Sequence, residues 1–265
     1  MNNTLTDSPI RNPFRRALLE RRVTIGSWIQ INNATSTEIL ANAGYEWLGI
    51  DIEHTDIDIT SLTGLLRGMY GRGTVPVARV AANETMAIRR ALDMGVQGVF
   101  VPLVSTAEEA RRAVAAAKYP PQGIRGFAFC RANDWGADFD AYVRTANDEI
   151  AVVVMIETRE GVENIEHILD VDGIDGVFIG PYDMSGSYGI PGQTQDPIVQ
   201  NACMRVAQAC RRAGKSAGLH IVEPAPETVR QTIADGFTLI CLGVDTVFLK
   251  QAAHAARNMM IGNEK

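Results

Sequence analysis

The chain has 265 residues, enough for one large core and close to the roughly 250 residues of an α/β barrel. Its 46% apolar and 21% charged residues are ordinary for a globular enzyme, and a net charge of −6 argues against nucleic acid as a partner. No apolar run reaches the ~20 residues that a membrane span needs, and MNNTLTDSPI has no basic stretch followed by an apolar one, so the expectation is a cytoplasmic protein without signal peptide or membrane partner.

Residues 1–11 are polar and are predicted to be a flexible terminus, followed by one domain over 12–265. Asn12-Pro13 opens a short helix, Pro13–Arg21, suited to closing the bottom of a barrel. Apolar runs then alternate with helical patterns. The predicted strands are Thr24–Gln30, Trp47–Asp51, Val75–Arg79, Gly98–Pro102, Ile150–Ile156, Gly176–Ile179, Ser216–His220 and Leu239–Gly243. They are apolar throughout rather than alternating, as strands buried on both faces are. The predicted helices are Ser36–Ala43, Ile59–Met69, Glu84–Met94, Ala107–Ala117, Ala141–Asn147, Gly161–Ile168, Ile198–Ala213, Pro226–Asp235 and Thr246–Asn258, several of them stopped by glycine. Eight strands, each followed by a helix, predict a (β/α)8 TIM barrel; the rival open sheet lacks a G-x-G-x-x-G after its first strand. The segment 118–138, rich in Gly, Pro and aromatics, is read as an insertion after strand four and hence on the active face.

Chemistry in such a barrel sits at the C-terminal strand ends. Those ends carry Trp28 and Gln30, then Asp51, Glu53 and His54, then Arg79, Pro102, Glu157, Asp183, His220 with Glu223, and finally Asp245. Glu157 and Asp183 each lie just past an apolar strand, about 26 residues apart, one β/α unit. With water filling the remaining positions, two carboxylates suit Mg²⁺ or Mn²⁺. A metal there would polarise a carbonyl, and Arg79 could hold the developing oxyanion. His54 has the intrinsic pKa of a base, oriented by Asp51 or Asp93. Blander roles stand beside these: Asp51 as a cap, Arg79 in a rim ion pair with Glu53 or Asp93, His220 as a packed histidine. Trp28 is read as lining the pocket. None of the four lysines falls at a strand's C-terminal end, which disfavours a Schiff base. The four cysteines, without C-x-x-C spacing, are read as reduced thiols.

Long stretches carry a family resemblance: GSWIQ at Gly26, GYEWLGIDIEH at Gly44, PVARV at Pro76, ALDMGVQGVFVPLV at Ala91, YPPQGIRG at Tyr119, VMIET at Val154 and DGIDGVFIGPYDMSGSYGIPG at Asp172. From Asn12 to Asn258 the chain resembles the HpcH/HpaI class II pyruvate aldolases. The resemblance implies a barrel of the phosphoenolpyruvate/pyruvate type, with its last helix exchanged between subunits in a hexamer of three dimers. It implies Glu157 and Asp183 as ligands of Mg²⁺, Mn²⁺ or Co²⁺, with no organic cofactor. Arg79 would bind the pyruvate keto oxygen, and His54 would act in acid/base chemistry with Asp51 and the further carboxylate Asp93. Backbone N–H groups of the Gly180-Pro181-Tyr182 break would bind the pyruvate carboxylate, and Trp28 would line the pocket. His220 departs from the leucine of some relatives and is expected to recognise a polar or acidic group on the aldehyde half. The implied reaction is reversible cleavage of a 4-hydroxy-2-oxoacid to pyruvate and an aldehyde. The rivals are an acyl-CoA lyase or condensing enzyme, using Arg125 and Arg131 to hold CoA, and a barrel that binds without turnover.

Overall fold

Hydrophobic runs bounded by glycine and polar stops form eight short strands in the computed structural model, which describes residues 10–137 and 139–261. The N-terminus predicted to be flexible lies almost wholly outside these residues. The strands are β1 (Thr24–Ile29), β2 (Trp47–Asp51), β3 (Val75–Arg79), β4 (Gly98–Val101), β5 (Ala151–Ile156), β6 (Gly176–Ile179), β7 (Ser216–Ile221) and β8 (Leu239–Val244). They are all parallel and close in chain order, β8 pairing β1. The (β/α)8 barrel expected from the run spacing is therefore the fold.

Outward strand residues join one apolar layer with the helices, and inward residues form a second core inside the barrel. That inner core is aromatic. Trp28 meets Phe100 at 5.1 Å and Phe178 at 5.7 Å, both edge-on. Helix α1 (Pro13–Leu19) plugs the bottom with Phe14 and Leu18, and the Arg15 guanidinium lies 3.0 Å from Asp175. Glycines make room for the tryptophans. A Cβ on Gly26 would sit 2.1 Å from the Trp47 ring and 2.5 Å from its carbonyl oxygen, and one on Gly49 would sit 2.3 Å from Trp28.

The helices α2 (Ala34–Asn42), α3 (Ile59–Met69), α4 (Thr85–Asp93), α5 (Ala107–Ala117) and α6 (Phe139–Glu149) follow as patterned. The segment predicted as Gly161–Ile168 is two short helices, α7 (Arg159–Glu163) and α8 (Ile165–Leu169), broken at Asn164. Helix α9 (Pro181–Ser187), unforeseen, starts directly after the Gly180 break. Then come α10 (Pro197–Arg212), α11 (Pro226–Ala234) and α12 (Asp245–Ile261). From Leu249 to Met259 every residue of α12 is exposed.

The segment after Ala117 corrects the sequence reading. It follows α5 rather than β4, so it starts at the N-terminal face of the barrel. Lys118 Nζ donates to Ile150 O just before β5, Arg125 Nη2 donates to Asp93 at the end of α4, and Arg131 Nη1 donates to Met94 O. The segment also holds a 3₁₀ turn, Arg131–Gly136. All four cysteines are free, and burial pushes the Cys203 and Cys210 thiols up to about 11 and about 12.

The close fit of Gly26 gives a direct check. Gly26→Ala must displace Trp47 and its backbone, and is expected to lower unfolding stability by about 3 kcal/mol in urea titration, the upper end of overpacking costs.

Candidate active site

Side-chain alternation decides which strand-end residues meet. On β2 the inward positions are Trp47, Gly49 and Asp51; on β3 they are Val75, Val77 and Arg79. Asp51 and Arg79 stand opposite each other in the β2–β3 register, so their side chains share the inner face at the mouth. The pair is bidentate: Arg79 Nε donates to Asp51 Oδ1 at 2.9 Å and Nη2 to Oδ2 at 2.6 Å. Gln30 Nε2 adds a third bond to Asp51 at 3.0 Å. Burial alone would raise the Asp51 pKa, but the Arg79 bonds and charge outweigh it and hold the carboxyl below its ordinary value. The guanidinium carbon of Arg79 lies 5.1 Å from the centre of the Trp28 ring, a cation–π contact. Arg79 Nη1 makes no protein hydrogen bond among the described residues.

The same alternation carries Met155 and then Glu157 inward from β5, and Phe178 and then Gly180 inward from β6. A Cβ at residue 180 would sit 2.8 Å from Glu157 Cγ and Oε1, so the glycine leaves space for that carboxylate. Glu157 Oε2 accepts the Leu103 N–H at 2.8 Å. Burial, with Glu53 and Asp183 nearby, pushes the Glu157 pKa up to about 7. Asp183 is exposed in the first turn of α9. Glu53, only 13% exposed, has its Oε2 at 3.3 Å from Arg79 Nε and without a hydrogen-bond partner. Burial also raises the Glu53 pKa; Arg79 opposes this, while Asp51 and Asp183 reinforce it. Two carboxylates, Glu53 and Asp183, gather near Glu157 with Arg79 as the nearby cation.

This donor set fits a hard divalent cation: oxygen ligands only, and a buried carboxylate whose charge is penalised until a cation neutralises it. Among the described residues no group of three or more His, Cys, Asp or Glu could hold a metal ion. Glu157 and Asp183 would hold one together with water and substrate oxygens.

Four expectations need correction. Asp51 does not face the His54 ring: its carboxylate is occupied by Arg79, Gln30 and the backbone N–H groups of Glu53 and His54. The carboxylate beside the 59% exposed His54 ring is that of Glu53, at 3.5 Å. Asp93 is remote from His54 within the chain, because it ends α4 at the opposite face and pairs with Arg125 at 2.7 Å. Gly180 has no N–H to spare, since it donates to Ile156 O at 3.1 Å; with Pro181 lacking one, the first-turn donors left by α9 are those of Tyr182 and Asp183. His220 also lacks the charge to bind an acid. Its Nε2 lies 2.9 Å from Gly243 O, and burial pushes its pKa down to about 4. Glu53 is the residue that strand-end reading undervalued; its position in the run DIEH was the available signal.

Trp28, Arg79, Glu157, Asp183, Tyr182 and His220 all line one cavity of about 780 Å³ that opens at the C-terminal strand ends. A parallel barrel with two metal-competent carboxylates and an arginine converging there has the form of an enolate-forming carbon–carbon lyase. Residues 24–254 match the family described as HpcH/HpaI aldolase/citrate lyase, and the chain belongs to it. It is 41% identical over 248 residues to 4-hydroxy-2-oxo-heptane-1,7-dioate aldolase of Shigella sonnei (strain Ss046), covering 93% of this chain and 94% of that one. It is 40% identical to 4-hydroxy-2-oxovalerate aldolase of Rhodococcus jostii (strain RHA1), covering 94% and 95%. The crystal structure of an HpcH/HpaI aldolase/citrate lyase family protein from Burkholderia cenocepacia J2315 superposes with a TM-score of 0.89 at 32% identity, covering 94% and 99%.

Asp51 leaves a testable energetic signature. Asp51→Ala removes the bidentate partner of a largely buried arginine, leaving only Glu53 at 3.3 Å, and is expected to cost about 3 kcal/mol of stability in urea unfolding. Combining it with Arg79→Met should recover only part of that loss, since the guanidinium is gone but the Glu53 carboxylate then lacks its cation.

Proposed function

We propose that the protein is a divalent-metal-dependent aldolase that cleaves a 4-hydroxy-2-oxoacid to pyruvate and an aldehyde and runs the condensation in reverse. The observation that carries this reading is the convergence of Glu157, Asp183 and Arg79 on one cavity, with Arg79 immobilised by Asp51. The similarity to aldolases of two 4-hydroxy-2-oxoacids supports it.

Glu157 and Asp183 would hold Mg²⁺, Mn²⁺ or Co²⁺, which when bound acts as a Lewis acid toward the 2-oxo group. Arg79, locked by Asp51 and backed by Trp28, turns Nη1 toward the oxygen on which negative charge grows as the C3–C4 bond breaks. Its geometry is fixed before substrate arrives, so little reorganisation accompanies the charge. The N–H groups of Tyr182 and Asp183, in the first turn of α9 and without an intrahelical acceptor there, would meet the substrate carboxylate. His54, exposed at the rim beside Glu53, exchanges the C4-hydroxyl proton through water.

The CoA alternative loses its residues. Arg125 is fully buried against Asp93 and Tyr119, and Arg131 is held by Met94 O, both away from the cavity. Helix α12, exposed from Leu249 to Met259, fits exchange between subunits of a hexamer. No helix among the described residues is long and apolar enough to cross a membrane.

Pyruvate release from 4-hydroxy-2-oxopentanoate should vanish on exhaustive treatment with EDTA and return with Mn²⁺ or Mg²⁺. Arg79→Met should lower kcat by about 10²–10³, the effect of removing one oxyanion donor. Full activity after chelation, or borohydride trapping of pyruvate on the chain, contradicts the reading. Light scattering should find a hexamer that Leu249→Asp shifts to smaller species; a monomeric wild type would refute the exchange.

A further inference from the structure

His220 stands on the inward face of β7, opposite the inward Cys241 in the β7–β8 register, one position above Gly218, and lines the cavity beside Arg79 and Phe178. Its Nε2 lies 2.9 Å from the Gly243 carbonyl oxygen. A carbonyl only accepts, so Nε2 carries the proton and Nδ1 of the neutral ring carries a lone pair. Among the described residues Nδ1 takes no hydrogen bond from the protein, and it is not among the polar atoms sealed from solvent. Burial, with the Arg79 charge adding to it and the Gly243 bond opposing, keeps the ring neutral across the physiological range. The rest of the cavity is short of positive charge. At the mouth its lining holds the carboxylates Glu157, Asp183, Glu223 and Glu227 against one cation, and that cation, Arg79, is already bound to Asp51. A second substrate carboxylate would find a lone pair at His220 and a like charge at Glu223, while Glu227 is already paired with Arg230 at 2.7 Å.

We infer that His220 is a specificity-determining acceptor that reads a hydroxyl group on the aldehyde half, so that this chain favours neutral hydroxyaldehydes over apolar aldehydes and over aldehydes ending in a carboxylate. The inference rests on the aldolase reading and separates this chain from a relative named for a heptanedioate, a dicarboxylate. The donor is the substrate hydroxyl, the acceptor is Nδ1, and Gly243 O holds the ring in the required tautomer. No other lining group need change for the preference to be lost.

The test is aldol condensation of pyruvate with three aldehydes in the presence of Mn²⁺: lactaldehyde, propanal, which lacks only the hydroxyl, and succinic semialdehyde, which ends in a carboxylate. For the wild-type protein kcat/KM should be higher for lactaldehyde than for propanal by roughly three- to tenfold, the worth of one neutral hydrogen bond, and lowest for succinic semialdehyde. In His220→Leu the lactaldehyde-to-propanal ratio should fall to about one. In His220→Gln, whose amide can donate to Gly243 O and still offer an oxygen, part of the preference should remain. The ratio is read within each protein, so a general loss of activity cancels. Equal use of lactaldehyde and propanal by the wild type, preference for succinic semialdehyde, or an unchanged ratio in His220→Leu would each overturn the inference while leaving the aldolase reading intact. An equal fall for both aldehydes in His220→Leu with the ratio preserved would overturn it too, assigning His220 to the C4 oxygen common to all products. If a leucine variant does not fold, the two wild-type comparisons still decide. Absence of product with all three aldehydes would defeat the aldolase reading itself, and the inference with it.

Discussion

The bidentate contact between Arg79 and Asp51 joins two parallel strand ends at the barrel mouth, and the neighbouring site residues take their positions around it. A buried ion pair of this kind contributes little net stability, because desolvating both charges offsets most of their attraction. What it supplies is position. Asp51 takes Nε–H and one Nη2–H, Trp28 backs the face of the guanidinium, and the Nη1 donors are left for whatever enters the cavity. An arginine free to swing toward Glu157 or Asp183 would instead neutralise the carboxylates meant for a cation.

Charge distribution at the mouth follows from that arrangement. Glu157 is buried, and with Glu53 and Asp183 near it the ionised form is penalised until a positive ligand arrives. The penalty is tolerable because Arg79 lies close by and because Gly180 leaves the carboxylate room without forcing it against a side chain. On the proposed reading the cavity would take a divalent cation and an anionic 2-oxoacid together, whose charges compensate each other. It is much less suited to a second anionic group, since no further basic side chain lines it among the described residues.

The strands were legible because each is an apolar run buried on both faces and cut short by glycine, proline or a charged residue, and the helices because their C-terminal glycines mark the stops. From those two patterns the barrel, the plugging role of α1 and the strand-end addresses of Trp28, Arg79, Glu157, Asp183 and His220 could be read. Other features depended on contacts that no local pattern carries. Whether Asp51 would face Arg79 or His54 is decided by cross-strand register, which puts Asp51 opposite Arg79. The segment from Lys118 was assigned to the active face because it follows strand four, although the intervening α5 returns the chain to the opposite face, and Asp93, offered as a partner of His54 and implied by resemblance, ends α4 at that same opposite face. Helix α9 was hidden because Gly180-Pro181 reads as a break, yet proline is also a favoured first residue of a helix.

The most direct test of the central claim, that Glu157, Asp183 and Arg79 together generate a pyruvate enolate, is exchange of pyruvate methyl protons with solvent deuterium followed by NMR, without any aldehyde. Wild-type protein with Mg²⁺, a diamagnetic ion suited to this readout, should exchange the protons, and Glu157→Gln should not. Retention of all three methyl protons by the metal-loaded wild type, or undiminished exchange by Glu157→Gln, would contradict the account.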